Sequence, residues 1–165
     1  MPSLPQLIQE DVQEINAALQ DFLAKSEATA ALVAAEGGFL IFEQGDLSQF
    51  DATTLSALAA NAFSATQAIA SLLNESSFST VYQQGRQSSI LVGQINRQHN
   101  LIVVFPASNP VGAVKYFAAF AIQIIAAQLN KARERAPDQG FDLAMLNMAD
   151  PSNVFRSNKT SEGRN

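Results

Sequence analysis

The chain has 165 residues, enough for one domain of ordinary size and a tail. Hydrophobic residues make up 47% of it and charged residues only 15%, against roughly 25% in a typical soluble domain, so part of its surface is expected to be covered by a partner. A net charge of −5 with no Lys/Arg-rich run argues against nucleic acid as a ligand, and the lack of cysteine excludes disulfides, a thiolate nucleophile and thiolate zinc sites.

Met1-Pro2-Ser3-Leu4-Pro5 has no basic stretch followed by an apolar one, so it does not read as a signal peptide, and a cytoplasmic protein is expected. Gln6 to Lys25 reads as the first helix. Leu7, Val12, Ile15, Leu19, Phe22 and Leu23 recur at helical spacing, and Glu10, Asp11, Glu14 and Asp21 are read as its wet face. A hairpin follows, with Thr29 to Ala35 and Phe39 to Phe42 as strands around Glu36-Gly37-Gly38. Paired glycines allow the positive φ that tight turns demand, which overrides the weak strand preference of alanine. Both strands are apolar on both faces, which predicts a sheet covered on two sides.

Asp51 is placed as the N-cap of a second helix running to about Asn74. No residue from Ala52 to Asn74 carries a charge. Leu55, Leu58, Ala62, Ala65, Ile69 and Leu72 form one stripe; Ala59, Phe63, Thr66, Ala70 and Leu73 form the next. A helix with one wet side should carry charge there, so burial on two sides is expected, the second against a copy of itself. Strands are then predicted at Ser79 to Gln84, Ser89 to Asn96 and Leu101 to Phe105, the last ended by Pro106. Gly85-Arg86 makes one turn and Arg97 to Asn100 a polar loop. Asn109 and Pro110 open a third helix that reaches Glu134, with Lys131, Arg133 and Arg135 suiting its C-terminal dipole. Its segment Val111 to Leu129 is nearly long enough for a membrane span, but Lys115, Gln123 and Gln128 interrupt it, so a buried helix and no membrane insertion are expected. The order α-β-β-α-β-β-β-α predicts an α/β (α+β) domain with a five-stranded, mainly antiparallel sheet over residues 1–135. An extension over 136–156 is expected to dock through Phe141, Leu143, Met145 and Leu146, and a disordered tail is expected over 157–165.

Little is arranged for catalysis. His99 is the one histidine and is expected in an exposed turn, with no partners for a base or a metal. Asp46 and Asp51 are read as capping and solvated residues in preference to cation ligands. Arg86, Arg97, Arg133, Arg135 and Arg156 lack the rigid presentation an arginine finger needs. No catalytic residue, metal ligand or cofactor is assigned.

Ala31 to Gly38, Asp51 to Ala60, and Leu101 to Phe105 leading into the third helix together resemble the Roadblock family, the dynein-light-chain and Ragulator-type scaffold, over about residues 6–135; its bacterial branch is the most similar. The resemblance implies a homodimer joined through the third strand, Ser79 to Gln84, into one continuous sheet, with the two second helices side by side. It also implies binding of a small Ras-like GTPase, as regulator or scaffold. Leu55, Leu58, Ala59, Ala62, Phe63, Thr66, Val81 and Tyr82 are then the expected interface and partner platform. The alternatives are a structural adaptor with no GTPase, and a small-molecule sensor.

Overall fold

The computed structural model describes residues 6–135. In chain order the elements are α1 (Gln9–Ser26), β1 (Ala30–Ala35), a short 3-10 turn at Glu36–Gly38, β2 (Leu40–Gly45), α2 (Ala52–Leu72), β3 (Thr80–Gln83), β4 (Ser88–Asn96), β5 (His99–Pro106) and α3 (Val111–Glu134). The five strands form one sheet ordered β2-β1-β5-β4-β3, and every pairing is antiparallel. The element order expected from the sequence is the one observed.

The sheet is covered on both faces, and strand alternation sorts the side chains between them. Ala31, Val33, Leu91, Leu101, Val103 and Phe105 meet Ile15, Leu19, Phe22, Val114, Ile125 and Leu129 of the antiparallel helices α1 and α3. Leu32, Ala34, Val92 and Ile102 meet Ala59 and Phe63 of α2 on the opposite face. β1 is buried along its whole length, which accounts for its alanines: a strand sandwiched between two helical layers needs small apolar side chains on both sides.

The β1–β2 turn fixes where α2 can lie. Gly37 and Gly38 both adopt positive φ, +82° and +84°. A Cβ on Gly38 would sit 2.6 Å from the Ala57 Cα, so α2 rests directly on the turn backbone. The Ser56 hydroxyl donates to the Gly38 carbonyl at 2.9 Å. Asp51 caps α2 as expected, its carboxylate accepting from the Thr54 N–H at 2.6 Å.

Four local expectations are corrected. The β4–β5 connection is a tight turn at Arg97-Gln98, and β5 already begins at His99. His99 is buried, not exposed: its ring Nδ1 lies 2.9 Å from the Asn96 Oδ1, and the same oxygen accepts from the Gln98 N–H. Asn109 does not cap α3; its amide donates to the Glu27 carbonyl at 3.1 Å and ties the start of α3 to the end of α1. Asp11 does not belong to the wet face of α1; it is fully buried in a polar knot.

That knot joins α1 to the far end of α3. The Asp11 carboxylate accepts from the Ile8 N–H (2.8 Å), the Gln128 amide (2.6 Å) and both terminal nitrogens of Arg135 (2.7 and 3.0 Å). Bidentate guanidinium geometry of this kind is the strong form of a charged hydrogen bond. The hydrogen bonds from Arg135 hold the carboxyl at a pKa of about 2, against the desolvation that pushes it up.

Candidate functional site

The surface that sets this domain apart is the outer side of α2 together with the edge strand beside it. α2 turns Ser56, Ala59, Ala60, Phe63 and Ala70 inward. At 100° per residue the opposite crest carries Leu58, Ala65, Ile69 and Leu72. Leu58 is 62% exposed and Leu72 83%, and Ile69 and Leu73 are open as well. A soluble monomer scatters exposed apolar residues singly; a row of them on one helix with no intervening charge is the pattern of an interaction surface.

The second part is β3. It has four residues, Thr80–Gln83, and among the described residues pairs only with β4, through Val81↔Val92 and Tyr82↔Leu91. Its other edge is open to strand addition. Val81 is half-buried and packs toward α2, while Tyr82 stacks on Phe105 on the opposite face with ring centroids 6.1 Å apart. The Gln67 side chain sets the position of this edge relative to α2. Its amide donates to the Phe78 carbonyl at 2.7 Å and accepts from the Phe78 N–H at 3.1 Å, as a neighbouring strand would.

The eight residues expected at the interface are thus divided by the fold. Leu58 stands free on the crest, Leu55, Ala62 and Thr66 lie half-buried on its flank, and Val81 and Tyr82 occupy the edge strand. Ala59 and Phe63 are 7% and 4% exposed and pack in the core of the domain, not on its surface. Phe141, Leu143, Met145 and Leu146 lie outside the described residues.

The family model for the Roadblock/LC7 domain matches residues 14–105, from α1 through β5. The chain belongs to this family. No curated protein sequence matches it. Solved structures do. "MglB with tetrameric arrangement" is 28% identical, with a TM-score of 0.73 over 80% of this chain and 98% of that one. The gliding protein MglB from Thermus thermophilus is also 28% identical, with a TM-score of 0.71 over 79% and 98%. Myxococcus xanthus MglB, at 21% identity and a TM-score of 0.72 over 79% and 98%, shares the fold.

Asp46 and Asp51 of this Roadblock/LC7 domain serve its local structure. Asp46 accepts from the Ser48 N–H at 2.9 Å within its own turn, and Asp51 caps α2. These bonds lower both carboxyl pKa values. Among the described residues no three His, Cys, Asp or Glu side chains cluster as metal ligands. Arg86 and Arg97 are exposed in turns, Arg133 reaches Asn130 on its own helix, Arg135 is held by Asp11, and Arg156 lies outside the described residues.

One group of exposed residues on α3 is not evident from the sequence. α3 was expected to be buried, yet Tyr116, Phe120 and Ile124 are exposed along its outer side. Their spacing, i, i+4, i+8, was a readable signal, hidden because the helix is apolar on its inner side as well. α3 meets the length and composition of a membrane span, but Val114, Ala118, Ala121, Ile125 and Leu129 are packed in the core.

Proposed function

We propose that this protein is a non-enzymatic homodimeric regulator or scaffold, cytoplasmic, that binds a small Ras-like GTPase on the surface built by its paired α2 helices. The observation that carries this reading is the charge-free crest of α2 lying beside the free edge of β3. Pairing β3 with its copy would continue the sheet through main-chain hydrogen bonds. It would also bring the two α2 crests together, covering Leu58 and Ile69 and leaving a flat apolar platform. Membership in the Roadblock/LC7 family and the likeness to MglB support the same reading.

The test is binding of purified protein to the host's small Ras-like GTPases, each loaded with GDP or a non-hydrolysable GTP analogue. The expected result is binding that depends on the nucleotide and is lost in Leu58→Glu. Equal or absent binding in both nucleotide states for every GTPase removes the proposal in favour of a structural adaptor.

A further inference from the structure

An open groove of about 240 Å³ runs between α1 and α3, on the face of the sheet opposite α2. Phe22 and Ala18 of α1 form one wall, and Tyr116, Phe120 and Ile124 of α3 form the other. Tyr116 is 61% exposed and Phe120 52%, and their rings meet edge to face with centroids 5.1 Å apart. The ion pair of Asp21 and Lys25 stands on the rim. Three large apolar side chains in line beside a concave slot form a site for a short apolar segment.

We propose that the occupant is the chain's own segment Phe141–Met148, docked in the groove of its own subunit. Reach and direction support it. Arg135 is fixed at the first turn of α1 by Asp11, so the chain leaves α3 at the end of the helix pair nearer Ile124. Helical rise places Ile124 about 16 Å and Tyr116 about 28 Å behind Arg135. Phe141 and Met148 follow Arg135 by six and thirteen residues, which span up to about 20 and 43 Å. As two turns of helix the segment would be about 10 Å long, against about 12 Å between Ile124 and Tyr116. Phe141, Met145 and Met148 then fall at i, i+4 and i+7 on one face, and Asp142 and Asn147 stay outside. The short tether keeps the segment at a millimolar effective concentration, so a modest contact suffices to hold it. This docking depends on neither the dimer nor the GTPase, because α2 and β3 take no part in the groove.

The sequence contains no cysteine, so the full chain carrying Asn147→Cys takes a single spin label. Backbone amide signals of Ala18–Lys25 and Tyr116–Ile124 should lose most of their intensity, and those of Leu58–Leu72 should keep theirs. Adding Phe141→Ser and Met145→Ser to the labelled chain should restore the groove signals. Unchanged groove signals, or loss centred on α2, overturn the proposal. So does groove-signal loss of the same size when spin-labelled chains are mixed with separate isotope-labelled ones, because docking would then be between subunits.

Discussion

At the residue scale the fold depends on two buried ionisable groups, and they respond to acid in different ranges. His99 is buried with its pKa lowered by desolvation, and its Nε2 has no partner among the described residues. The unfolded chain binds a proton on this ring below about pH 6.5 more readily than the folded one, so stability should begin to fall there. Asp11 is instead held in its charged form. Its pKa is depressed from 3.8 to about 2 by Arg135, so its stabilisation is complete above the unfolded value and is lost as pH falls from about 4 toward 2. A shift of this size is worth on the order of 2 kcal/mol. With the outer edge of Arg135 still in water, Asp11→Asn should cost about 1–2 kcal/mol at pH 7. Denaturant melts of both proteins across pH 7 to about 2 would check it, since the gap between them should close only in the lower part of that range. A gap independent of pH would mean that Asp11 acts through shape and not charge. Neither group was legible in the sequence. Asp11 sits among acidic neighbours at surface spacing, and its partners Gln128 and Arg135 are 117 and 124 positions away. Gly38 was legible, because a paired glycine between apolar runs signals positive φ; what the sequence lacked was the contact with Ala57. Gly38→Ala should therefore destabilise the domain by about 2–3 kcal/mol, combining backbone strain with overpacking, as thermal melts would measure.

At the scale of elements, α2 carries two kinds of apolar residue that composition alone does not separate. Its missing charge and its Asp51 cap were readable. Which stripe meets the sheet was not, because leucine, alanine and phenylalanine stand on both sides and leave the periodicity weak. The structure separates them, and substitution should follow that division. Phe63→Ala empties a core site and should cost about 3–4 kcal/mol of stability. Leu58→Glu places a charge on a residue that is already exposed within its own subunit, so the subunit fold should survive and only association should weaken. Chemical denaturation paired with light scattering would separate the two effects. Unfolding in Leu58→Glu, with Phe63→Ala unaffected, would mean that the helix is rotated from the orientation described. The Gln67 clamp offers a third test of the same unit. Gln67→Ala removes both hydrogen bonds to Phe78 and should loosen β3 more than the core, seen as faster amide exchange at Thr80–Gln83 with unchanged exchange at Leu101–Phe105.

At the scale of the whole molecule, the shortage of charge and the open edge point to the same conclusion. A sheet that ends, among the described residues, in a four-residue strand with its outer edge unpaired, beside a helix crest with no charge, is the arrangement in which self-pairing satisfies both main-chain and apolar groups at once. The expected species is a dimer of twice 17.7 kDa, about 35 kDa. A dimer that is stabler than its separate subunits must melt at a temperature that rises with protein concentration, because association draws on the folded state by mass action. Wild-type protein should show that rise across a hundredfold dilution series, while a Leu58→Glu, Ile69→Glu variant should melt at one temperature throughout and elute at about half the mass. Amides of Thr80–Gln83 should be protected from exchange in the wild type and open in the variant, since β3 would then have lost the strand that covers it. A wild-type melting temperature independent of concentration, with those amides exchanging freely, would leave α2 exposed to water in the free protein. The apolar crest would then have to be reserved for a different protein, and the paired-helix platform would not exist before that protein binds.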